Sequence, residues 1–320
     1  MKRCRIHWRQ KLWRTVMGLL ALSVLSFGIA SCVSDPPEPL AAADAHTPAS
    51  GNLSPESSTA LLSRQLDYHT VELLNSTVHV ITVPANSDFR IGVIASETLA
   101  LLPVQAEQVG AKAAINAGFF DPKNGLTTSF VTVNGAIAAD PRNNDRLIGN
   151  PDLEAYLPAI LNRSEFRIYR CAERQQYDIV FHSAAVPTNC ILEAAVGAGP
   201  QLLPTMTGYE EGFMADNAAG NRVRDVLGSQ TANARSAVGL KADGTVVLAM
   251  ASQLAIADVP TGATLSEMAD VLASLDVVKA LNLDGGSSSG LYVEGKTYFG
   301  RLDNAGVTIQ RPIKSMLYVY

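Results

Sequence analysis

The chain has 320 residues, enough for one large domain or two small ones. Hydrophobic residues make up 47% and charged residues 17%, which supplies a core and excludes a disordered chain. Six basic residues (Lys2, Arg3, Arg5, Arg9, Lys11, Arg14) crowd the start and no acid precedes Asp35; the rest holds 19 basic against 30 acidic residues, too acidic a balance for a nucleic-acid partner to be expected.

In chain order, the basic stretch leads into an apolar run over 15–30, shorter than the ~20 residues of a spanning helix, and this pairing reads as a secretory signal. The run ends Ile29-Ala30-Ser31-Cys32, which resembles a bacterial lipobox. That resemblance implies a lipoprotein signal peptide over 1–31, cleavage before Cys32 and lipid attachment to its thiol. An ordinary signal peptide or an uncleaved anchor are the alternatives. By resemblance to Gram-negative sorting rules, Val33 in place of Asp favours the outer membrane. Residues 32–65, rich in Pro, Ala and Ser, read as a flexible tether. The folded part, 66–320, is therefore expected in the cell envelope, outside the cytoplasm. There Cys171 and Cys190 form an even pair in an oxidising compartment and are expected to bond.

Within 66–320 strand patterns dominate. Short β-branched runs occupy Val78–Val83 and Phe89–Ile94, and a short apolar strand ends at Asn116. Three hairpins turn at Asn134-Gly135, Asp243-Gly244 and Glu294-Gly295. A helix is predicted over Val104–Val109 and another over Leu265–Leu275, where Thr264 and Glu267 match a capping box. Val277–Leu283 reads as a buried strand and Ser315–Tyr320 as the last one. The sum predicts an α+β fold: a mixed, largely antiparallel sheet with a few packed helices in a single domain.

Chemistry concentrates in Asn282–Gly290, NLDGGSSSG. The strand alternation puts Asn282 and Asp284 on one face. Gly285 and Gly286 let backbone approach a ligand, and Ser287 and Ser288 add hydroxyls. The same residues read as a Gly/Ser turn in a scaffold protein. Gly286–Gly290 also fits G-x-S-x-G, but every histidine precedes it; a serine hydrolase would have to use His182 out of the usual order. A second segment, Ala114–Gly125, carries Asn116, a turn at Gly118, and Phe119-Phe120, suited to wall a pocket or to pack in the core. There is no His-x-His, His-Glu-x-x-His, Cys-x-x-Cys or dinucleotide fingerprint, so neither a metal nor another cofactor is expected.

Taken in order, INAGFF, the VGAGPQLL of Val196–Leu203, the NARSAVGL of Asn233–Leu240, LNLDGGSSS and the closing RPIKSMLYV resemble the phosphodiester glycosidase family over about Val78 to Tyr320. Ala117 and Ser287 stand where glycines are usual. The resemblance implies hydrolysis of a sugar-1-phosphodiester at the glycosyl–phosphate bond. On that basis Asp284 is the candidate catalytic base or nucleophile, with Glu267 as a second carboxylate. Arg235 would grip the phosphate, Asn116 would bond the sugar and Asn282 would orient Asp284. Gly118, Gly285, Gly286, Ser287 and Ser288 would line the substrate. The expected partners are a glycan or sugar-phosphodiester and, through Cys32, a membrane. The rival reading is a non-catalytic glycan-binding lipoprotein on the same fold.

Overall fold

The computed structural model describes residues 66–172, 174–256 and 259–320. The signal at 1–31, the tether at 32–65 and Cys32 lie outside the described residues. Among the described residues no helix is long and apolar enough to cross a membrane.

Strands β1 (Asp67–Leu73) and β2 (Ser76–Val83) form a hairpin, and β3 (Ile91–Ala100) leads through helix α1 (Leu102–Gln108) to β4 (Ala113–Asn116). A second hairpin, β5 (Val131–Val133) and β6 (Ala136–Ala139), precedes the short helices α2 (Asp145–Ile148) and α3 (Leu157–Ile160). A hairpin follows, β7 (Ser164–Cys171) and β8 (Arg174–Phe181), and β9 (Cys190–Gly197) returns to pair on the other side of β7. After the short β10 (Gln201–Leu203), β11 (Met214–Asp216) and β12 (Arg222–Asp225) come β13 (Arg235–Lys241), β14 (Val246–Gln253), α4 (Leu265–Ser274) and β15 (Val277–Asn282). The chain closes with β16 (Gly290–Val293), β17 (Lys296–Phe299) and β18 (Ile313–Val319).

These strands make three large sheets, ordered β1-β2-β14-β13-β15-β10, β17-β16-β4-β18-β3 and β6-β5-β9-β7-β8, with β11-β12 as a separate ribbon. Every strand pair among the described residues is antiparallel, which corrects the expected mixed sheet. The fold is also richer in strand than the expected α+β balance, with α4, at ten residues, the longest helix described. Six of these pairs are hairpins, whose short turns leave no room for a crossover helix and so force antiparallel order.

The six-stranded sheet is buried on both faces. Along β14, Val246, Leu248 and Met250 enter a core shared with the other two large sheets. The alternate residues Val247, Ala249 and Ala251 pack with Leu265, Met268, Val271 and Leu272 of α4. Two buried faces explain why β14 reads as a continuous apolar run. The predicted capping box holds α4 at its start: Glu267 N–H donates to the Thr264 hydroxyl at 3.1 Å, and Thr264 N–H donates to Glu267 Oε2 at 2.8 Å. Asn134 and Gly135 adopt φ of 51° and 75°, as do Glu294 and Gly295 at 47° and 86°, the left-handed geometry these hairpin turns need.

Cys171 and Cys190 are register partners on β7 and β9 and are disulfide-bonded. Closing a loop of this length stabilises by about 3 kcal/mol in the chain-entropy picture.

Candidate active site

Four of the sequence segments meet at one end of the sheets. Buried Ala280 and Leu281 anchor β15, and Leu283 continues into the core, so the strand end brings Asp284 to a partly exposed position. The segment that follows is clamped from two sides. Leu283 N–H and Gly286 N–H donate to the carbonyls of Ser236 and Ala234, both at 2.8 Å, and Asp284 N–H donates to the Ala117 carbonyl at 2.8 Å. Asn116 completes the clamp: its Nδ2 donates to the Asp284 carbonyl at 2.5 Å, while its Oδ1 accepts from the Ser236 hydroxyl at 2.7 Å and Gly290 N–H at 3.1 Å.

Asp284 sits among enough protein atoms that loss of solvent pushes its pKa up to about 6. The Ser288 hydroxyl, the Arg311 guanidinium and Gly285 N–H, at 3.0 Å from Oδ1, work against that rise by favouring the charged form. Gly286 has φ of 60° and opens a short 3-10 turn, Gly286–Ser288. A Cβ on Gly285 would lie 3.1 Å from the Ala234 carbonyl, so a larger residue would press on the clamp. Arg311 Nη1 donates to the Ser287 hydroxyl at 2.7 Å, and its guanidinium lies 5.5 Å from the Phe120 ring centre. Asn233 is a close neighbour of Gly286 and accepts from Arg301 Nη1 at 2.5 Å. A carboxylate, a glycine-rich turn, two serine hydroxyls and an arginine therefore converge.

Several expected site residues do other work. Arg235 does not face this site. It is buried, and its Nε donates to the Ala263 carbonyl, Nη1 to Leu227, and Nη2 to both Gly228 and Thr231, at 2.7 to 3.1 Å. Burial holds its pKa down to about 10. With its donors taken by carbonyls, it is a staple for the 227–231 loop and not a phosphate grip. Asn116 is fully buried with both ends of its amide bonded, so it positions the Asp284 backbone and does not reach a sugar. Asn282 donates to the Gly199 carbonyl at 2.8 Å and does not orient Asp284. Glu267 is held by Thr264, its hydroxyl donating to Oε2 at 2.9 Å, at the start of α4. Gly118 is buried, and a Cβ there would come 2.9 Å from the Gly197 carbonyl; its smallness serves packing.

The serine-hydrolase alternative fails on geometry. His182 Nδ1 bonds Glu165 at 2.6 Å and its ring stacks on Phe130 at 4.0 Å, while Ser287 pairs with Arg311 and Ser289 Oγ is buried without a partner. Among the described residues no three His, Cys, Asp or Glu side chains gather as a metal site.

Arg311, Phe120, Asn233 and Arg301 are the members of the site that sequence reasoning did not assign. Arg311 carried a cue, because it stands just before the closing strand, as Arg235 stands at the start of another.

No curated protein matches the chain at a significant level. Solved structures do share its fold. The catalytic domain of zebrafish N-acetylglucosamine-1-phosphodiester alpha-N-acetylglucosaminidase, auto-inhibited by its pro-peptide, superposes with a TM-score of 0.57 at 16% identity, over 80% of this chain and 83% of that one. A putative exported protein from Burkholderia pseudomallei gives 0.56 at 16% identity, over 76% of this chain and 74% of that one. A hypothetical protein from Synechocystis gives 0.51 at 19% identity, over 79% of this chain, which spans only 61% of that one. The phosphodiester glycosidase model matches residues 109–320, from the end of α1 through the last residue, and takes in Asn116, the Asp284 loop and Arg311. On that match the chain belongs to the phosphodiester glycosidase family.

Proposed function

We propose that the chain hydrolyses a sugar-1-phosphodiester at its glycosyl–phosphate bond, acting on a glycan of the cell envelope. The observation that carries this reading is the approach of Arg311 to Asp284 across the Gly286–Ser288 turn. A phosphodiester oxygen anion suits a guanidinium fork beside a serine hydroxyl and backbone N–H groups. The anomeric carbon of the same substrate then faces the carboxylate. Asp284, ionised above about pH 6, either takes the proton of the water that attacks that carbon, or attacks it itself to form a glycosyl ester that water then hydrolyses. The C1–O bond breaks and the phosphate leaves with the bonding pair. Because phosphate is a good leaving group, the reaction needs a strong general acid less than ordinary glycoside hydrolysis does.

Arg311→Gln separates phosphate recognition from chemistry. Steady-state kinetics on a sugar-1-phosphodiester should show KM raised about tenfold or more, the size of one charge-assisted contact, with a smaller fall in kcat. An uncharged glycoside binding the same site should not share that rise. An unchanged KM for the phosphodiester would remove Arg311 from the reading.

The proposal includes the membrane. With the Cys32 thiol lipidated and 32–65 as a tether, the enzyme works on the outside of the cytoplasmic membrane or, if Gram-negative sorting applies, at the outer membrane. Mass spectrometry of the mature protein should find a lipid at Cys32, and Cys32→Ser should abolish it. A mature chain carrying an unmodified Cys32 would refute the anchor.

A further inference from the structure

We propose that Arg163 and Arg224 form a second oxyanion subsite, which takes a further acidic group, phosphate or carboxylate, of the substrate glycan. The inference rests on the proposed hydrolysis of a glycan phosphodiester and adds that this glycan is polyanionic.

The two arginines are tied down by the same device. Arg163 Nε donates to the Glu211 carbonyl at 3.1 Å, and Arg224 Nε donates to the next carbonyl, Gly212, at 2.8 Å. Each guanidinium lies over an aromatic ring, Arg163 at 3.7 Å from the Phe213 centre and Arg224 at 4.3 Å from that of Tyr156. One Nε bond and one stacked face fix the plane of each guanidinium and leave its Nη edge free. Among the described residues those Nη groups donate to nothing, and neither arginine forms an ion pair. Both are only partly exposed, and they are close enough for Arg224 to help depress the pKa of Arg163, which burial lowers to about 9.

Solvent reaches the Nη groups, yet two like charges held this close repel, and an anion between them would relieve that cost. Partly desolvated guanidinium groups ordinarily have their donors bonded. The structural arginines of this protein follow that rule. Arg235 reaches four carbonyls, and Arg167 reaches Glu165 and the carbonyls of Phe181, His182 and Ala184. Glu211 would be the natural counter-ion for Arg163, and its charge does favour the guanidinium. Its carboxylate is instead bonded to Ser164 N–H and Oγ, Gln201 N–H and the Thr207 hydroxyl, and makes no ion pair.

The pair is also next to the reacting end. Arg163 lies 5.9 Å from the Phe119 ring centre, and Arg311 lies 5.5 Å from that of Phe120. Two consecutive phenylalanines, following the turn whose Ala117 carbonyl holds Asp284, thus support one arginine each. An extended acidic glycan with its phosphodiester at Arg311 reaches the second pair past Phe119.

Two measurements test this. In Arg311→Gln protein, where the first anion contact is gone, inorganic phosphate should still bind by titration calorimetry. Adding Arg163→Gln or Arg224→Gln should weaken it at least about tenfold, with circular dichroism confirming the fold. In kinetics, three substrates share one glycosyl–phosphate bond and carry a neutral, a phosphorylated or a carboxylated aglycone. Arg224→Gln should raise KM for an acidic substrate at least about tenfold more than for the neutral one, and the acid that suffers more identifies the natural group. Equal KM changes across the three, or phosphate binding indifferent to both substitutions, would overturn the subsite. If the wild type hydrolyses none of the three, the proposed reaction falls, and the phosphate titration alone decides the subsite.

Discussion

Asp284→Asn should lower turnover of a sugar-1-phosphodiester by at least ~100-fold while making the folded protein more stable at neutral pH. The first effect follows from chemistry: the amide keeps the size of the side chain but has neither the basicity nor the nucleophilicity of a carboxylate. The second follows from the pKa of about 6. An unfolded Asp titrates near 3.9, so the folded state disfavours the ionised form. Below about pH 4 the carboxyl is neutral in both states and adds no penalty. Between about pH 4 and pH 6 the unfolded chain ionises while the folded protein keeps its proton, so stability falls across that window, by on the order of 2–3 kcal/mol, and levels above about pH 6. The asparagine variant escapes that fall. Thermal denaturation should therefore show a higher Tm than wild type at pH 7.5 and none of that advantage at pH 4. Wild-type kcat/KM should rise with pH along a limb centred near 6. A folded Asp284→Asn protein with full kcat would end the catalytic assignment. Wild-type protein that binds a panel of sugar phosphodiesters and hydrolyses none would shift the reading to a glycan-binding lipoprotein.

Arg235→Met should unfold the protein more readily, by about 3–5 kcal/mol in urea denaturation, the range for removing a buried charged hub. Four carbonyls lose a bond together: those of Leu227 and Thr231 lose their side-chain donor, while those of Gly228 and Ala263 keep backbone N–H donors from Thr231 and Asn233. Three of the four belong to the 227–231 loop, which loses its tie to β13, and an acceptor left unpaired away from water costs about 1–3 kcal/mol. A phosphate-gripping arginine would behave oppositely, raising KM with stability unchanged. Arg235→Lys should recover only part of the loss, since an ammonium cannot reach four acceptors arrayed around a planar fork. A Met variant of native stability would restore Arg235 as a candidate for the substrate.

What could be read from the chain depended on whether the cue was local. The hairpins at Asn134-Gly135, Asp243-Gly244 and Glu294-Gly295 were legible because the dipeptides suit positive φ, and α4 because Thr264 and Glu267 bond within four residues. The three strands β7 to β9 were not legible. β7 buries Glu165 and Arg167 beside Phe166 and Ile168, and their mutual bond at 2.8 Å lets charge occupy positions where apolar alternation is sought. The expected β3 ended at Ile94, but pairing with β18 carries it to Ala100, a distant partner no local pattern announces. In the site, the DGGSSS segment singled out Asp284 from sequence alone. The arginines could not be told apart: Arg235 and Arg311 both stand at or just before a strand. Only the 227–231 loop, folded over one of them, makes that one structural.

Asn116 gives the site a mechanical character. It sits at the end of β4 in a five-stranded sheet, yet its amide joins Ser236 of the six-stranded sheet, the carbonyl of Asp284 and the first residue of β16. The backbone of Asp284 is thereby soldered to two sheets at once. Any breathing motion that carried it away would have to part both, so local fraying is not an available route and only large-scale opening remains. Whatever binds beside Asp284 therefore meets a preset backbone.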